Sequence, residues 1–244
     1  MTFKDDLEKN VRDLIETPFN VRTGRVIPSE LGPHDYVTLF DTAYLYTDMA
    51  DSSSLAERFN QEEGARILRV FLNVVCRVIR NRGGEIRSFD GDRVMGIFIG
   101  DDAADKAVDA GLRITWAVSV LAHEALVGYE PYWNEYLHHD WKLKHRTGID
   151  FGWARVVRGG VRDYNDLVNI GYAPNAAAKL SDYKGGGTTI ITNSVYDKLK
   201  YSNKYSKNSQ KNDGVEYSMW DHKGDVTVGS RYEDVYTSTW RRSF

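Results

Sequence analysis

The sixteen-residue run GGEIRSFDGDRVMGIF, residues 83–98, limits the fold more than any other stretch of this chain. Gly83-Gly84 breaks what precedes it, alternating residues lead to Asp90-Gly91-Asp92, and a second run rich in Val, Met, Ile and Phe follows. Asp-Gly between two such runs predicts a β-hairpin, because glycine accepts the positive φ of a tight turn. Upstream, residues 62–82 carry Ile67, Leu68, Phe71, Val74, Val75, Val78 and Ile79 at helical spacing, with Gly83 as a stop. Downstream, residues 103–127 read as a second long helix. A hairpin held between two such helices excludes an all-α or all-β fold. It predicts an α+β domain, its mainly antiparallel sheet covered by helices on one face.

The rest of the chain fits that frame. Residues 2–16 read as an amphipathic helix, followed by an extended lead-in, so residues 1–35 stand apart from a domain spanning 36–244. YVTLFDTAYLYTD is β-rich and ends at Asp48, and Ser54 with Glu57 makes a capping-box pattern. Residues 128–145 are aromatic-rich and aperiodic, an ordered loop or short helix. RTGIDFGWARVV is a strand whose glycines admit a closely approaching neighbour. APNAAAKLSDY starts a helix, TTIIT is a short buried strand and SVYDKLK a helical turn or two. Residues 201–213 are polar and predict a mobile loop, while VEYSMW and DVYTSTW close as strands.

Composition narrows the function class. The 244 residues are 41% hydrophobic and 27% charged, with a net charge of −3, which gives no electrostatic reason to expect nucleic acid or a membrane as partner. The single cysteine, Cys76, falls on the apolar side of a helix and fits a reducing compartment. The N-terminus has acids where a signal peptide carries bases, so a cytoplasmic location is expected.

The hairpin tip crowds two carboxylates, Asp90 and Asp92, and Asp48 stands at the exit of an earlier strand. If the two strands are neighbours, Asp48 and Asp92 meet at one sheet end, where oxygen ligands suit Mg²⁺ or Mn²⁺. The plainer reading is a helix cap and a decorated turn. Asn175 and Lys179, four residues apart on a helix, put an amide and a cation side by side.

Together, TDMADSSSLAERF, the 83–98 hairpin, TGIDFGWARVV and GYAPNAAAKL resemble the class III nucleotidyl cyclase catalytic domain in order and spacing, over residues 36–236. The resemblance implies a ferredoxin-like domain in a head-to-tail homodimer with composite sites. Asp48 and Asp92 of one subunit would hold two divalent ions, Mn²⁺ or Mg²⁺, with Met49, Ser52, Ser53 and Ser54 beside the phosphates. The partner's helix would bring Asn175 to the ribose, and Lys179 falls where the family has its transition-state arginine. A lysine there keeps the charge and loses the planar fork. Lys223 resembles a late lysine that reaches the triphosphate. Ser88 and Tyr172 fall on the base-reading positions and match neither purine pattern, and Tyr46 lines the same pocket; a phenol filling that space suits a smaller base. That points to the bacterial pyrimidine cyclases of Pycsar anti-phage systems: UTP to 3′,5′-cyclic UMP, the product acting on a separate effector. Ser and Tyr hydroxyls serve CTP as well, so a cytidylate cyclase, an adenylate cyclase and an inactive nucleotide-sensing homologue stay open as alternatives.

Other features read as structural. Arg87 and Arg93 flank the tip as a solvated strand face. His138, His139 and Asp140 invite a zinc reading, but with no cysteine beside them they fit a loop or interface better. GGVRDY and YKGGGTT read as turns, and Arg241-Arg242 is too small a basic tail to argue for nucleic acid.

Overall fold

The computed structural model describes residues 2–161, 163–207 and 214–244. A helix α1 (Phe3–Glu16), capped by Thr2, precedes strands β1 (Asn20–Gly24) and β2 (Asp35–Met49). The lead-in therefore contains a strand, and β1 runs parallel to the first half of β2. The apolar residues of α1, Phe3 and Ile15 among them, are exposed.

Helices α2 (Ser53–Arg58) and α3 (Gln61–Asn81) follow. α2 has no side-chain cap; the capping box lies at Asn60 and Glu63, at the start of α3, and not at Ser54 and Glu57 as expected. Ser54 is unavailable because its hydroxyl donates to the Asp51 carbonyl and accepts from the Trp141 indole. α3 buries Ile67, Phe71, Val75, Val78 and Ile79, each contributing about 1.5–3 kcal/mol of transfer free energy. It ends at Gly83 with φ +81°. The hairpin β3 (Glu85–Asp90) and β4 (Arg93–Ile99) forms as expected, with Gly91 at φ +61°.

Helix α4 (Ala103–Trp116) continues through a π turn, Ala117–Ala122, into α5 (His123–Val127). This combined helix is as long and apolar as a membrane span, yet half of its apolar window is buried inside the protein as core. The aromatic-rich segment contains a helix, α6 (Glu130–His139). Then come β5 (His145–Val161), β6 (Tyr164–Ile170), α7 (Tyr172–Ser181) and β7 (Thr189–Thr192). The last part holds α8 (Asn193–Tyr196), α9 (Tyr201–Lys204), β8 (Tyr205–Lys207), β9 (Glu216–Ser218), β10 (Asp221–Val228) and β11 (Arg231–Ser238). The segment expected to be a mobile loop thus begins as a helix and a strand paired with β9, while residues 208–213 lie outside the described part.

The main sheet has the order β10-β11-β7-β5-β2-β4-β3, with β1 and β6 paired to the far halves of β2 and β5. It is mostly antiparallel; β1 with β2 and β5 with β7 are parallel. Helices cover both faces, not one. α3 and α4 pack on one side over Leu45, Val94 and Phe98. α7 packs on the other, where Ala173 and Ala177 meet Tyr44, Met95 and Ile97. Small residues and two strand glycines allow this second layer: a Cβ on Gly148 would stand 2.2 Å from the Ala177 carbonyl oxygen. A bulge between Leu39 and Thr42, with Asp41 at φ 51°, resets the alternation of β2. Before it the odd residues Val37 and Leu39 face α7; after it the even residues Tyr44 and Tyr46 do.

Candidate active site

Directly opposed residues of an antiparallel pair project to the same face, so register alone builds the site. Ser88 opposes Met95, Met95 opposes Tyr46, and Tyr46 opposes Gly148, which gives one row across four strands beneath α7. One step toward the strand ends, Asp90 opposes Arg93 and Asp48 opposes Arg146. Asp48 and the hairpin tip therefore share one sheet end, as the sequence led us to expect.

The two carboxylates are electrostatic neighbours. Burial pushes the Asp48 carboxyl above its ordinary value, Arg93 counteracts this, and the charges of Asp92 and Asp182 push it further up. Asp92 is half-buried, and its Oδ2 is buried with no hydrogen-bond partner. An orphaned carboxylate oxygen beside a second carboxylate is a set of hard oxygen donors, and it fits Mg²⁺ or Mn²⁺. Among the described residues no cluster of three or more His, Cys, Asp or Glu side chains forms a complete ligand set. Such sites leave positions for substrate oxygens.

Arg93 lies within this group. Its Nη2 donates to Asp48 Oδ2 at 3.1 Å and to Asp182 Oδ1 at 2.7 Å, and its side chain is only 24% exposed. The expectation of a solvated strand face is corrected: alternation puts Arg93 on the same face as Asp48. Arg87 also leaves solvent, donating to the Pro28 carbonyl. Asp182 and Arg146 were not singled out from the sequence. The signal for Arg146 was a cation two residues before Gly148 at the start of an expected strand. Asp182 had only its place at the end of α7.

The turn after Asp48 presents less than expected. Met49 is 2% exposed and belongs to the core on the α3–α4 side, so its side chain is removed from the site. Ser54 is committed to Asp51 and Trp141, which leaves half-buried Ser52 and exposed Ser53 as the hydroxyls at the turn.

On α7, Asn175 and Lys179 both lie on the exposed side. Lys179 leans toward the β10–β11 turn, its Cε 3.3 Å from where a Cβ on Gly229 would stand. No hydrogen bond or ion pair among the described residues joins Lys179 to Asp48; the leading charges at Asp48 are Arg93, Asp92 and Asp182. Tyr172 does not face Ser88. Its hydroxyl donates toward the Val228 carbonyl at 3.4 Å, and Arg231 covers its ring at 4.2 Å. The phenol in the row of Ser88 is Tyr46, whose ionisation burial pushes up. Lys223 is exposed on β10, with its Nζ 3.9 Å from where a Cβ on Gly186 would stand. His138 and His139 end α6, where the His138 Nδ1 lies 3.0 Å from the Asn134 carbonyl oxygen.

This architecture is that of the class III nucleotidyl cyclase domain. The guanylyl cyclase Cya2 superposes with a TM-score of 0.64 at 18% identity, covering 85% of this chain and 94% of that one. The adenylyl cyclase CyaB from P. aeruginosa superposes with a TM-score of 0.59 at 23% identity, covering 82% and 94%. No protein-family model matches the sequence. Full-length relatives do: a uridylate cyclase of Rhodovulum sp. (strain MB263) is 38% identical over 99% of this chain and 98% of its own length. Another, of Burkholderia cepacia, is 32% identical over 99% of both chains. The chain belongs to the uridylate cyclase family of nucleotidyl cyclases.

Proposed function

We propose that this chain converts UTP to 3′,5′-cyclic UMP and diphosphate. The observation that carries the reading is the convergence of Asp48 with the unpaired, buried Oδ2 of Asp92 at one sheet end. In the reaction the ribose 3′-oxygen bonds to the α-phosphorus, the bond from that phosphorus to the β-phosphate bridging oxygen breaks, and the 3′-hydroxyl proton is lost. Divalent ions, when bound, supply charge that makes the 3′-hydroxyl more acidic and neutralises the phosphates.

The chain's own residues do the rest. Asp48 and Asp92 fix the position of that charge, and the Ser52–Ser53 turn lies where the departing diphosphate would pass. Arg146, opposite Asp48, adds a cation on the phosphate side. Tyr46 narrows the row beside Ser88, which favours one ring over two. Asn175 and Lys179 are exposed on α7, where a second copy could receive them, which supports a homodimer with composite sites. The likeness to the Pycsar enzymes supports a place in cytoplasmic anti-phage signalling, with a separate effector reading the product.

Incubating the protein with ATP, GTP, CTP and UTP in Mn²⁺ and identifying each cyclic product tests the assignment. UTP is expected to outpace ATP by on the order of 10²-fold, the scale on which a filled pocket rejects a larger group. Preferred conversion of ATP or CTP would defeat it.

Arg93 bears on metal affinity. Its guanidinium already neutralises Asp48, so an incoming cation must displace it. Removing a part-buried ion pair changes binding by about 1 kcal/mol. Arg93→Met is therefore expected to tighten Mn²⁺ binding, measured without nucleotide, by about fivefold. Unchanged or weaker Mn²⁺ affinity in this variant would rule out competition.

A further inference from the structure

Helix α1 presents an apolar stripe that stands open in its own chain. Phe3, Leu7, Val11, Leu14 and Ile15 recur at helical spacing along one side, and the least exposed of them, Val11, is still 46% exposed. None of the 14 residues of α1 is buried. Covering such a stripe with another apolar surface releases free energy in proportion to the area removed from water. The polar side of α1 is acidic: Asp5, Asp6, Glu8, Asp13 and Glu16 outnumber Lys4, Lys9 and Arg12. That excess disfavours an anionic membrane surface as the cover, since helices that lie on such membranes carry a basic polar face.

The matching surface lies on the outer side of α3. Two adjoining cavities of about 500 and 380 Å³ run along this helix and share Asn73 and Val74 in their walls. Val70 and Val74 form the floor with Leu126 and with Leu121, itself 46% exposed. Arg66, Arg69 and Arg77 line the same groove, and no acid does. Arg66 pairs with Glu62 of its own helix, whereas Arg69 and Arg77 take part in no ion pair among the described residues. From Arg66 to Asn81 the groove extends about 22 Å, and α1 is about 21 Å long. Asp6 and Asp13 flank the stripe of α1 about two turns apart, and Arg69 and Arg77 border the floor of the groove at about the same spacing.

The groove of the same chain is out of reach of α1. Asn20, which opens β1, pairs with Asp35 at the start of β2. The near end of the groove leads through Gly83 and Gly84 to Glu85, which stands level with Ile97 and Tyr44. From Asp35 to Tyr44 is roughly 30 Å of strand. Residues 17–19, which join α1 to β1, bridge roughly 10 Å at most.

We propose that α1 of one copy docks in the α3 groove of a second copy of this chain. Leu7, Val11 and Leu14 enter the apolar floor, and Asp6 and Asp13 meet Arg69 and Arg77. This is an amphipathic helix laid in a groove, with anchors spaced i, i+4 and i+7. The charged rim selects partner and register more than it adds affinity. The groove lies on the opposite face of the sheet from α7 and the carboxylates, so the docking does not rest on the cyclase reading.

Cross-linking of the full chain tests this. In a Cys76→Ala background, a chain carrying Asn10→Cys, beside the stripe, is mixed with a size-tagged chain carrying Asn73→Cys, midway along the groove, and oxidised. A covalent pair of one untagged and one tagged chain is expected. Arg69→Glu/Arg77→Glu in the tagged chain is expected to lower its yield by about tenfold, because like charges then face each other. Asp6→Arg/Asp13→Arg in the untagged chain is expected to restore the yield, which a folding defect would not allow. The proposal is overturned if no mixed pair forms, if Asn10→Cys chains join only to one another, or if charge reversal leaves the yield unchanged. Absence of the pair together with sedimentation of the chain on phosphatidylglycerol vesicles would assign the stripe to lipid instead. A chain that forms the pair and cyclises no nucleotide would refute the catalytic reading alone. One that cyclises UTP without forming the pair would refute the docking alone.

Discussion

Asp48→Ala and Asp92→Ala are each expected to lower cyclic nucleotide formation by roughly 10³-fold or more, since losing even one preorganised charge-stabilising group costs about 10²–10³ in rate. The physical argument is specific to these positions. Asp92 Oδ2 is buried and unpaired, so no hydrogen-bond donor among the described residues competes for it. Among the described residues Asp48 is paired only with Arg93, which retains Asp182 when Asp48 is removed. Neither truncation leaves a buried charge without a partner, so the fold is expected to persist. Product quantified by chromatography, alongside thermal unfolding of the same preparations, separates chemistry from stability. Wild-type turnover in either variant would remove the metal assignment; a large fall in unfolding temperature would instead move the role to structure.

The second large effect is on the fold. Gly148→Ala places a methyl 2.2 Å from the Ala177 carbonyl oxygen and 2.5 Å from the Ser181 nitrogen, both backbone atoms of α7. Backbone cannot rotate away as a side chain can, so α7 must lift. Overpacking of this kind costs about 3 kcal/mol, or roughly a 10 °C fall in unfolding temperature for a domain of this size. Gly152→Ala is the internal comparison, because its added Cβ meets only the Ala173 methyl at 3.2 Å. Calorimetry should rank Gly148→Ala well below Gly152→Ala in stability. Equal melting of the two would show that α7 is not seated on β5 as described.

Much of this was legible in the sequence, for identifiable reasons. The Asp-Gly hairpin and the α3 apolar stripe are local signals, and both elements form where periodicity puts them. Asp48 and Asp92 were legible as a pair because one sits at a strand end and the other on a turn, positions that neighbouring strands bring together. β1, β6 and β10 were not legible: they are short or peripheral and take their register from β2, β5 and β11. The second helical layer was missed because α7 buries alanines, which give a weak apolar signal, against glycines. Arg93 was misread because its partners, Asp48 and Asp182, lie 45 and 89 residues away. Tyr172 was placed by its neighbours in sequence, whereas its ring is turned toward the β10–β11 hairpin by Arg231 and Val228.

The bulge at Phe40–Asp41 has a consequence for how this strand can change through evolution. Because side chains alternate with a period of two, the bulge that absorbs the one extra residue decides which half of the following sequence lies on the Asp48 face and which half is packed away. Straightening the strand while keeping that extra residue would send Tyr46 and Asp48 into the helical core and bring Leu45 and Met49 out in their place. A homologue one residue shorter at this point can therefore dispense with the bulge and still present the same side chains beside Asp48, whereas one of equal length must keep it.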